Sequence, residues 1–282
     1  MSGMAIAICS MAARFPGAAS PEDLWRLVIE RRSAAQEIPP GRWPVDPPSV
    51  HAGANGVPDR ASSLRGCFLD PVELDPALPI DASGLDEVQR LALQVGLEAW
   101  RAARTAGIDR SRVGVVLANI ALPTESASAQ TRALLGGAFA RAATGGDASF
   151  EPPGIEPAPL ERHTLALPAS LLCSALGFGG GALTLDAACA SSLYAIHLAC
   201  LELEAGRADA MLAGGVCRPQ SIYTQIGFSQ LRALSPSGRC APFDRGADGL
   251  VVGEGAGVFL LKRLTDAEAH GDRILGGIRA VG

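Results

Sequence analysis

One stretch in the 282-residue chain combines a short strand, a tight turn and an apolar helix. Leu183 to Asp186 is apolar and β-prone until its last residue, and Ala187 to Ser192 holds only small residues and one cysteine. A largely apolar helical segment follows from Ile196 to Ala205. The pattern predicts a strand-to-helix elbow with Cys189 in the turn.

A thiol at such an elbow suits nucleophilic chemistry. The N–H groups in the first turn of a helix lack intrahelical partners and the helix dipole is positive there, so a thiolate is favoured. An arbitrary free cysteine more often packs as a small hydrophobe. Here the small residues leave room for a substrate, the helix behind them is predicted to be buried, and Gly206 is its predicted stop. Cys189 is therefore the candidate nucleophile.

The residues around Cys189 also resemble the nucleophile motif of the β-ketoacyl synthases, the condensing enzymes of fatty-acid and polyketide synthases. That motif spans Asp186 to Leu193, and four downstream segments repeat the order and spacing of the family: Gly227 to Ser229, Leu234 to Asp244, Ala247 to Gly249, and Gly253 to Gly257. The resemblance implies an α/β, thiolase-like fold with α-β-α layers and a mixed sheet. It further implies that residues 1–263 form the N-terminal half, and that 264–282 begin a C-terminal half that is truncated.

The resemblance also implies a function. In this family the cysteine takes an acyl chain from a phosphopantetheine thioester of an acyl carrier protein, for decarboxylative condensation without a bound cofactor. The family's two catalytic histidines and its lysine lie C-terminal to the region present, so the chain alone is predicted to be incomplete for condensation. Phe228 is an acyl-pocket residue by resemblance, although an aromatic residue in an apolar run is more often core. The implied partners are an acyl carrier protein and either a second copy, as a homodimer, or a complementing C-terminal half.

The motif departs from the common family pattern at several positions. Ala187 and Ala190 stand where Thr and Ser are common, and Leu171 stands where Arg or Asn often precedes the elbow. This form of the motif most resembles synthases of polyunsaturated fatty acids or iterative polyketides.

Two other classes of protein stay open. One is a non-catalytic half that only dimerises or docks a carrier protein, although nothing but chemistry requires a thiol at the elbow. The other is a cysteine hydrolase, which needs a histidine beside the thiol. His197 lies roughly 12 Å along the helix from Cys189 at ~1.5 Å per residue, too far for a hydrogen bond. His51 and His163 are predicted to lie in Pro-rich loops, and His270 is predicted to follow a helix over Thr265 to Ala269.

Composition excludes several other classes. A hydrophobic fraction of 48% with 19% charged residues is typical of a globular protein. The net charge of −5, without any Lys/Arg cluster beyond pairs, argues against a nucleic-acid partner. Seven scattered cysteines without a CxxC pair predict neither a disulfide framework nor a metal site, and fit a reducing cytoplasm. No apolar run reaches the ~18 residues of a membrane span. The apolar stretch Met4 to Ala13 is predicted to be a first strand rather than a signal peptide.

The remaining elements are predicted from caps and hydrophobic patterns. They alternate between helix and strand, which favours an α/β sheet. They are a helix that starts after Ser20 with Pro21 in its first turn, a helix over Asp86 to Arg104, a strand over Val113 to Ile120 buried on both faces, a strand over Ala208 to Val216, and strand-like segments over Val251 to Leu264 and from Ile274. Gln36 to Ser63 and Thr144 to Pro168 are predicted to be long loops.

Overall fold

The computed structural model describes residues 5–76, 78–146, 167–218 and 221–281. Within them the strands are β1 (Ile6–Arg14), β2 (Gln36–Glu37), β3 (Arg65–Gly66), β4 (Val113–Asn119), β5 (Ala182–Leu185), β6 (Ala210–Cys217), β7 (Gly255–Arg263) and β8 (Gly276–Ile278). The helices are α1 (Pro21–Ile29), α2 (Glu87–Arg101), α3 (Glu125–Thr144), α4 (Leu167–Leu176), α5 (Ser191–Glu204), α6 (Ile222–Gln230) and α7 (Leu264–Ala269).

Among the described residues, a mixed sheet of six strands organises the fold, in the order β5-β4-β6-β7-β1-β8. Strands β5, β4 and β6 are parallel, while β7 is antiparallel to both β6 and β1, and β8 is antiparallel to β1. All seven residues of β4 are buried, which confirms the prediction of a strand covered on both faces. Since the carboxyl ends of parallel strands meet at one edge of a sheet, the ends of β5, β4 and β6 lie together.

Helices cover the sheet on both faces, which confirms the predicted α-β-α layering. On one face α2 and α4 pack against apolar residues of β4, β6 and β7, including Leu117, Leu212 and Val258. On the other face α5 packs against Val116 and Ala213. The sheet therefore separates two apolar clusters.

The predicted helix starts follow from their caps. Ser20 accepts a hydrogen bond from the Asp23 N–H, and Pro21 is the first residue of α1. Asp86 and Gln89 form a capping box at the start of α2. That helix ends at Arg101, three residues before the predicted end at Arg104.

Other predictions need correction. Helix α5 starts at Ser191, before the predicted Ile196, and it is not buried all round, because Leu193 and Tyr194 are 62% and 53% exposed. The loop predicted from Gln36 contains strand β2, which pairs with β3. The Val251 segment becomes a strand only at Gly255, and Leu264 already belongs to α7.

The second predicted loop, Thr144 to Pro168, lies mostly outside the described residues. The boundary at residues 263/264 stays a prediction; α7 and β8 lie against the same sheet as the rest of the chain, with β8 paired to β1. Among the described helices none is both long enough and apolar enough to cross a bilayer.

Candidate active site

The structure places Cys189 at the predicted strand-to-helix elbow. Strand β5 ends at Leu185, a single 3-10 turn spans Ala188–Ala190, and α5 begins at Ser191. Cys189 is exposed and unpaired. It therefore lies at the start of a helix and is not sealed beneath large side chains, as a nucleophile requires.

The elbow contains a strained residue directly before the nucleophile. Ala188 has a φ of 51°, in the left-handed region, which costs an L-residue roughly 1–2 kcal/mol. Its N–H donates to Asp186 Oδ1 at 2.8 Å. Ser191 Oγ accepts from the Ala187 N–H at 2.8 Å and donates to the Ala188 carbonyl at 2.6 Å. Two side chains that flank the turn thus bind its backbone.

Asp186 also contacts a second element. Its Oδ2 accepts a hydrogen bond of 2.8 Å from the N–H of Ala121, which follows β4. The backbone N–H groups of Ala121 and Ala188 lower the pKa of the Asp186 carboxyl below its usual value, so it stays ionised at neutral pH.

The backbone at Cys189 offers an unused hydrogen-bond donor. Within the described part of the chain, the Cys189 N–H has no hydrogen-bond acceptor. The N-cap position of α5 is Ala190, which provides no side-chain hydrogen bond to the first turn. Among the described residues, no N-cap side chain therefore covers the positive end of the helix, which suits a negatively charged oxygen bound beside it.

A mostly apolar cavity of about 410 Å³ opens beside the thiol. Its apolar side chains include Ile120, Ile196 and Phe259, contributed by the residue after β4, by α5 and by β7. Glycines of β6 and β7 also line it. This volume lies within the range of small-molecule sites in proteins.

A second thiol lines the same cavity, and sequence reasoning did not single it out. Cys217 is the last residue of β6. Burial, followed by the charge of Glu254, raises the pKa of the Cys217 thiol to about 11, so it stays protonated at neutral pH. The parallel arrangement of β4, β5 and β6 would have revealed Cys217, since it brings their carboxyl ends to one edge.

The histidines of the described residues lie elsewhere. His197 lines a separate cavity of about 230 Å³ with Leu193 and Tyr194, on another side of α5. Among the described residues that line the Cys189 cavity there is neither a histidine nor a lysine. His163 lies outside the described residues. The only lysine of the sequence, Lys262, is buried and paired with Asp272.

Phe228 is not among the described residues that line the cavity. It is half-buried in α6, and its carbonyl accepts the N–H of Ala233 at 2.9 Å. Its role as an acyl-pocket residue stays a prediction. In the described part of the chain, no group of three or more Cys, His, Asp or Glu side chains is arranged to hold a metal ion.

A comparison with known proteins supports the family that the motif around Cys189 indicates. A family model described as the N-terminal domain of β-ketoacyl synthases matches residues 4–267. A mycocerosic acid synthase-like polyketide synthase of Mycolicibacterium smegmatis is 38% identical over 283 residues, covering 97% of this chain and 12% of that protein. One subunit of the phenolphthiocerol/phthiocerol polyketide synthase of Mycobacterium tuberculosis is 37% identical over 277 residues, covering 96% of this chain and 14% of that protein.

Solved structures agree as well. The PfaC keto synthase-chain length factor superposes with a TM-score of 0.85 at 31% identity, covering 98% of this chain and 31% of that one. The ketosynthase from module 6 of the bacillaene synthase of Bacillus subtilis has a TM-score of 0.74 at 31% identity, covering 97% of this chain and 42% of that one. The chain therefore spans a small part of these curated relatives and less than half of these solved chains.

Proposed function

The chain belongs to the β-ketoacyl synthase family, and from that premise we propose that Cys189 accepts an acyl group from a thioester on the phosphopantetheine arm of an acyl carrier protein. The observation that carries the proposal is the exposed thiol at the start of α5, beside an apolar cavity. The cavity suits the apolar part of an acyl chain, while the helix start suits the charge of a thiolate.

The transfer is a thiol–thioester exchange. The Cys189 thiolate attacks the thioester carbonyl carbon, and the carbonyl oxygen becomes an oxyanion. The Cys189 N–H is the donor available to that oxyanion. When the intermediate collapses, the carbon–sulfur bond to phosphopantetheine breaks. The acyl group stays on Cys189, and the carrier leaves as a thiolate that takes a proton from water.

We further propose that the 282-residue chain stops at this acyl-enzyme. Decarboxylating a malonyl unit leaves an enolate, which requires positioned hydrogen-bond donors or acids. The described residues that line the Cys189 cavity include neither histidine nor lysine. Polyketide intermediates are the proposed substrate class, because both curated relatives compared above are polyketide synthases by name.

The experiment has two stages. Purified chain is incubated with octanoyl-pantetheine and digested, and mass spectrometry locates the adduct. We expect octanoylation of Cys189 and none in the Cys189→Ala variant. A folded sample without an adduct on Cys189 rejects the acyl-acceptor proposal and favours a scaffold that only dimerises or docks a carrier.

In the second stage a malonyl carrier protein is added to the octanoylated chain. We expect neither release of carbon dioxide nor a β-ketoacyl product. Product formed by the chain alone would show that its own residues complete the condensation site.

The partners that we propose are the acyl carrier protein and either a second copy of this chain or a complementing C-terminal half. Among the described strands β5 lies at an edge of the sheet, and its Leu183 is 47% exposed. Exposed edge strands are templates for pairing with another chain, and a two-fold axis through β5 would pair this strand with itself.

A complementing C-terminal half would cover the exposed apolar side chains of α5, which are Leu193, Tyr194 and Leu201.

A further inference from the structure

We infer that Asp186 is a positioning residue for Cys189, which holds the elbow in the conformation that acyl transfer requires. The inference rests on the acyl transfer proposed above and extends it to a residue that acts through the backbone of Ala188. Asp186 is not among the described residues that line the cavity, so it is not assigned a contact with the acyl group.

The elbow has little packing to define its shape. Ala187, Ala188 and Cys189 are all exposed, and their side chains are too small to anchor the turn in a core. Ala188 nevertheless adopts a left-handed backbone with a φ of 51°. Because L-residues disfavour this region and packing offers little compensation, hydrogen bonds have to hold it.

Asp186 supplies such bonds from two directions. One carboxylate oxygen accepts the N–H of Ala188, and the other accepts the N–H of Ala121, each at 2.8 Å. Ala121 follows Ile120, which lines the cavity. The carboxylate therefore joins the turn that carries the thiol to the end of β4, which forms another wall of the same cavity. Hydrogen bonds to an ionised acceptor are stronger than neutral ones, so a carboxylate suits this task.

The backbone conformation of Ala188 sets the position of the next residue, Cys189. A change in the backbone of Ala188 redirects both the N–H and the sulfur of Cys189. Acyl transfer needs both, because the N–H stabilises the oxyanion while the sulfur attacks. Alkylation by iodoacetamide forms no oxyanion and needs only the sulfur. Loss of the Asp186 carboxylate should therefore slow acyl transfer far more than alkylation.

The test measures both rates on Cys189 in wild type, Asp186→Asn and Asp186→Ala, using octanoyl-pantetheine and iodoacetamide below each variant's thermal midpoint. We expect acylation of Asp186→Ala to be about 10- to 100-fold slower, the effect of a small displacement of reacting groups. Asp186→Asn should lose less, because its amide oxygen still accepts one N–H. Alkylation should stay close to the wild-type rate in both. Adding Ala188→Gly to Asp186→Ala should restore part of the acylation rate, since glycine adopts the left-handed backbone freely.

Asp109→Asn is the matched control. Asp109 makes the same kind of contact at the opposite end of β4, accepting the Ser111 N–H at 2.9 Å and the Ser111 hydroxyl at 2.7 Å. Both of its rates should equal those of wild type.

If wild type acylates and Asp186→Ala acylates equally fast, the inference is wrong while the proposed function stands. Equal losses of acylation and alkylation would make Asp186 a general structural residue and overturn the inference. Absence of acylation in wild type rejects the proposed function and the inference together.

Discussion

Two thiols in one cavity show how strongly the local environment decides cysteine chemistry. Cys189 is exposed at the start of α5, whereas Cys217 is half-buried at the end of β6. Burial and the nearby Glu254 charge disfavour the Cys217 thiolate. Only the thiolate is a strong nucleophile, so these two positions should differ in reactivity although they border the same space.

At the residue scale we therefore predict selective alkylation. With a thiol pKa of about 11, Cys217 is ionised in only about one molecule in a thousand at pH 8. Brief treatment with iodoacetamide at pH 8, followed by peptide mapping, should label Cys189 long before Cys217. Cys200, whose thiol pKa burial also raises to about 11, is an internal control that should be as slow as Cys217. Labelling of Cys217 at the rate of Cys189 in folded protein would contradict the prediction.

Glycines of β6 and β7 border the cavity, and two of these glycines differ in their structural role. A Cβ on Gly214 would lie 2.0 Å from the Gly257 carbonyl oxygen, so the two strands can approach only because Gly214 has no side chain. A Cβ on Gly257 would meet nothing within 4 Å. One glycine therefore permits the strand pairing, while the other faces open space.

At the element scale we expect Gly214→Ala to lower the free energy of unfolding by about 1–3 kcal/mol, since the strands must separate to admit the methyl group. Urea denaturation monitored by circular dichroism measures this change. Gly257→Ala lies in the paired strand and should leave the urea midpoint nearly unchanged. Equal urea midpoints for the two variants would contradict the prediction, because they would show that the strands separate without a loss of stability.

On the scale of the whole molecule, one carboxylate connects three strands of the sheet. Asp209 precedes β6 and accepts hydrogen bonds from Arg112, just before β4, at 2.5 Å and from Arg263, at the end of β7, at 2.6 Å. The hydrogen bond from Arg112, followed by that from Arg263, lowers the pKa of the Asp209 carboxyl from 3.8 to about 2, against the opposing effect of partial burial. The folded state therefore favours the ionised form.

This shift predicts a pH dependence of stability. A carboxyl whose pKa is lower in the folded state stabilises the protein fully above the unfolded value of 3.8, and that contribution is lost as the pH falls towards about 2. Urea midpoints of wild type and Asp209→Asn should differ at pH 7, and the difference should shrink between pH 4 and pH 2. A constant difference across that range would mean that the Asp209 charge is not involved.

The proposed pairing of two copies through β5 is also a property of the whole molecule. Leu183→Arg puts a charge on the exposed edge and should shift the chain from dimer to monomer in size-exclusion chromatography with light scattering. Leu231→Arg is the control, because Leu231 is 75% exposed and caps the end of α6, which is not a strand of the sheet. A monomeric wild type, or a Leu183→Arg variant that stays dimeric, would contradict the proposed interface.

The sequence by itself determined the local features. Ser20 and Asp86 cap helices through contacts within three residues, and the apolar run at Val113 predicts a strand buried on both faces. The motif around Cys189 is contiguous, so it identified the family and the candidate nucleophile without coordinates.

Only the tertiary structure decided which distant residues share the site. Cys217 borders the Cys189 cavity because β6 lies beside β4, and Asp186 reaches Ala121 because β5 pairs with the same strand. The exposed face of α5 depends on what packs around that helix, and its composition did not reveal it. Strand neighbours are set by the free energy of the whole packed sheet, whereas hydrophobic periodicity and capping report only on nearby residues.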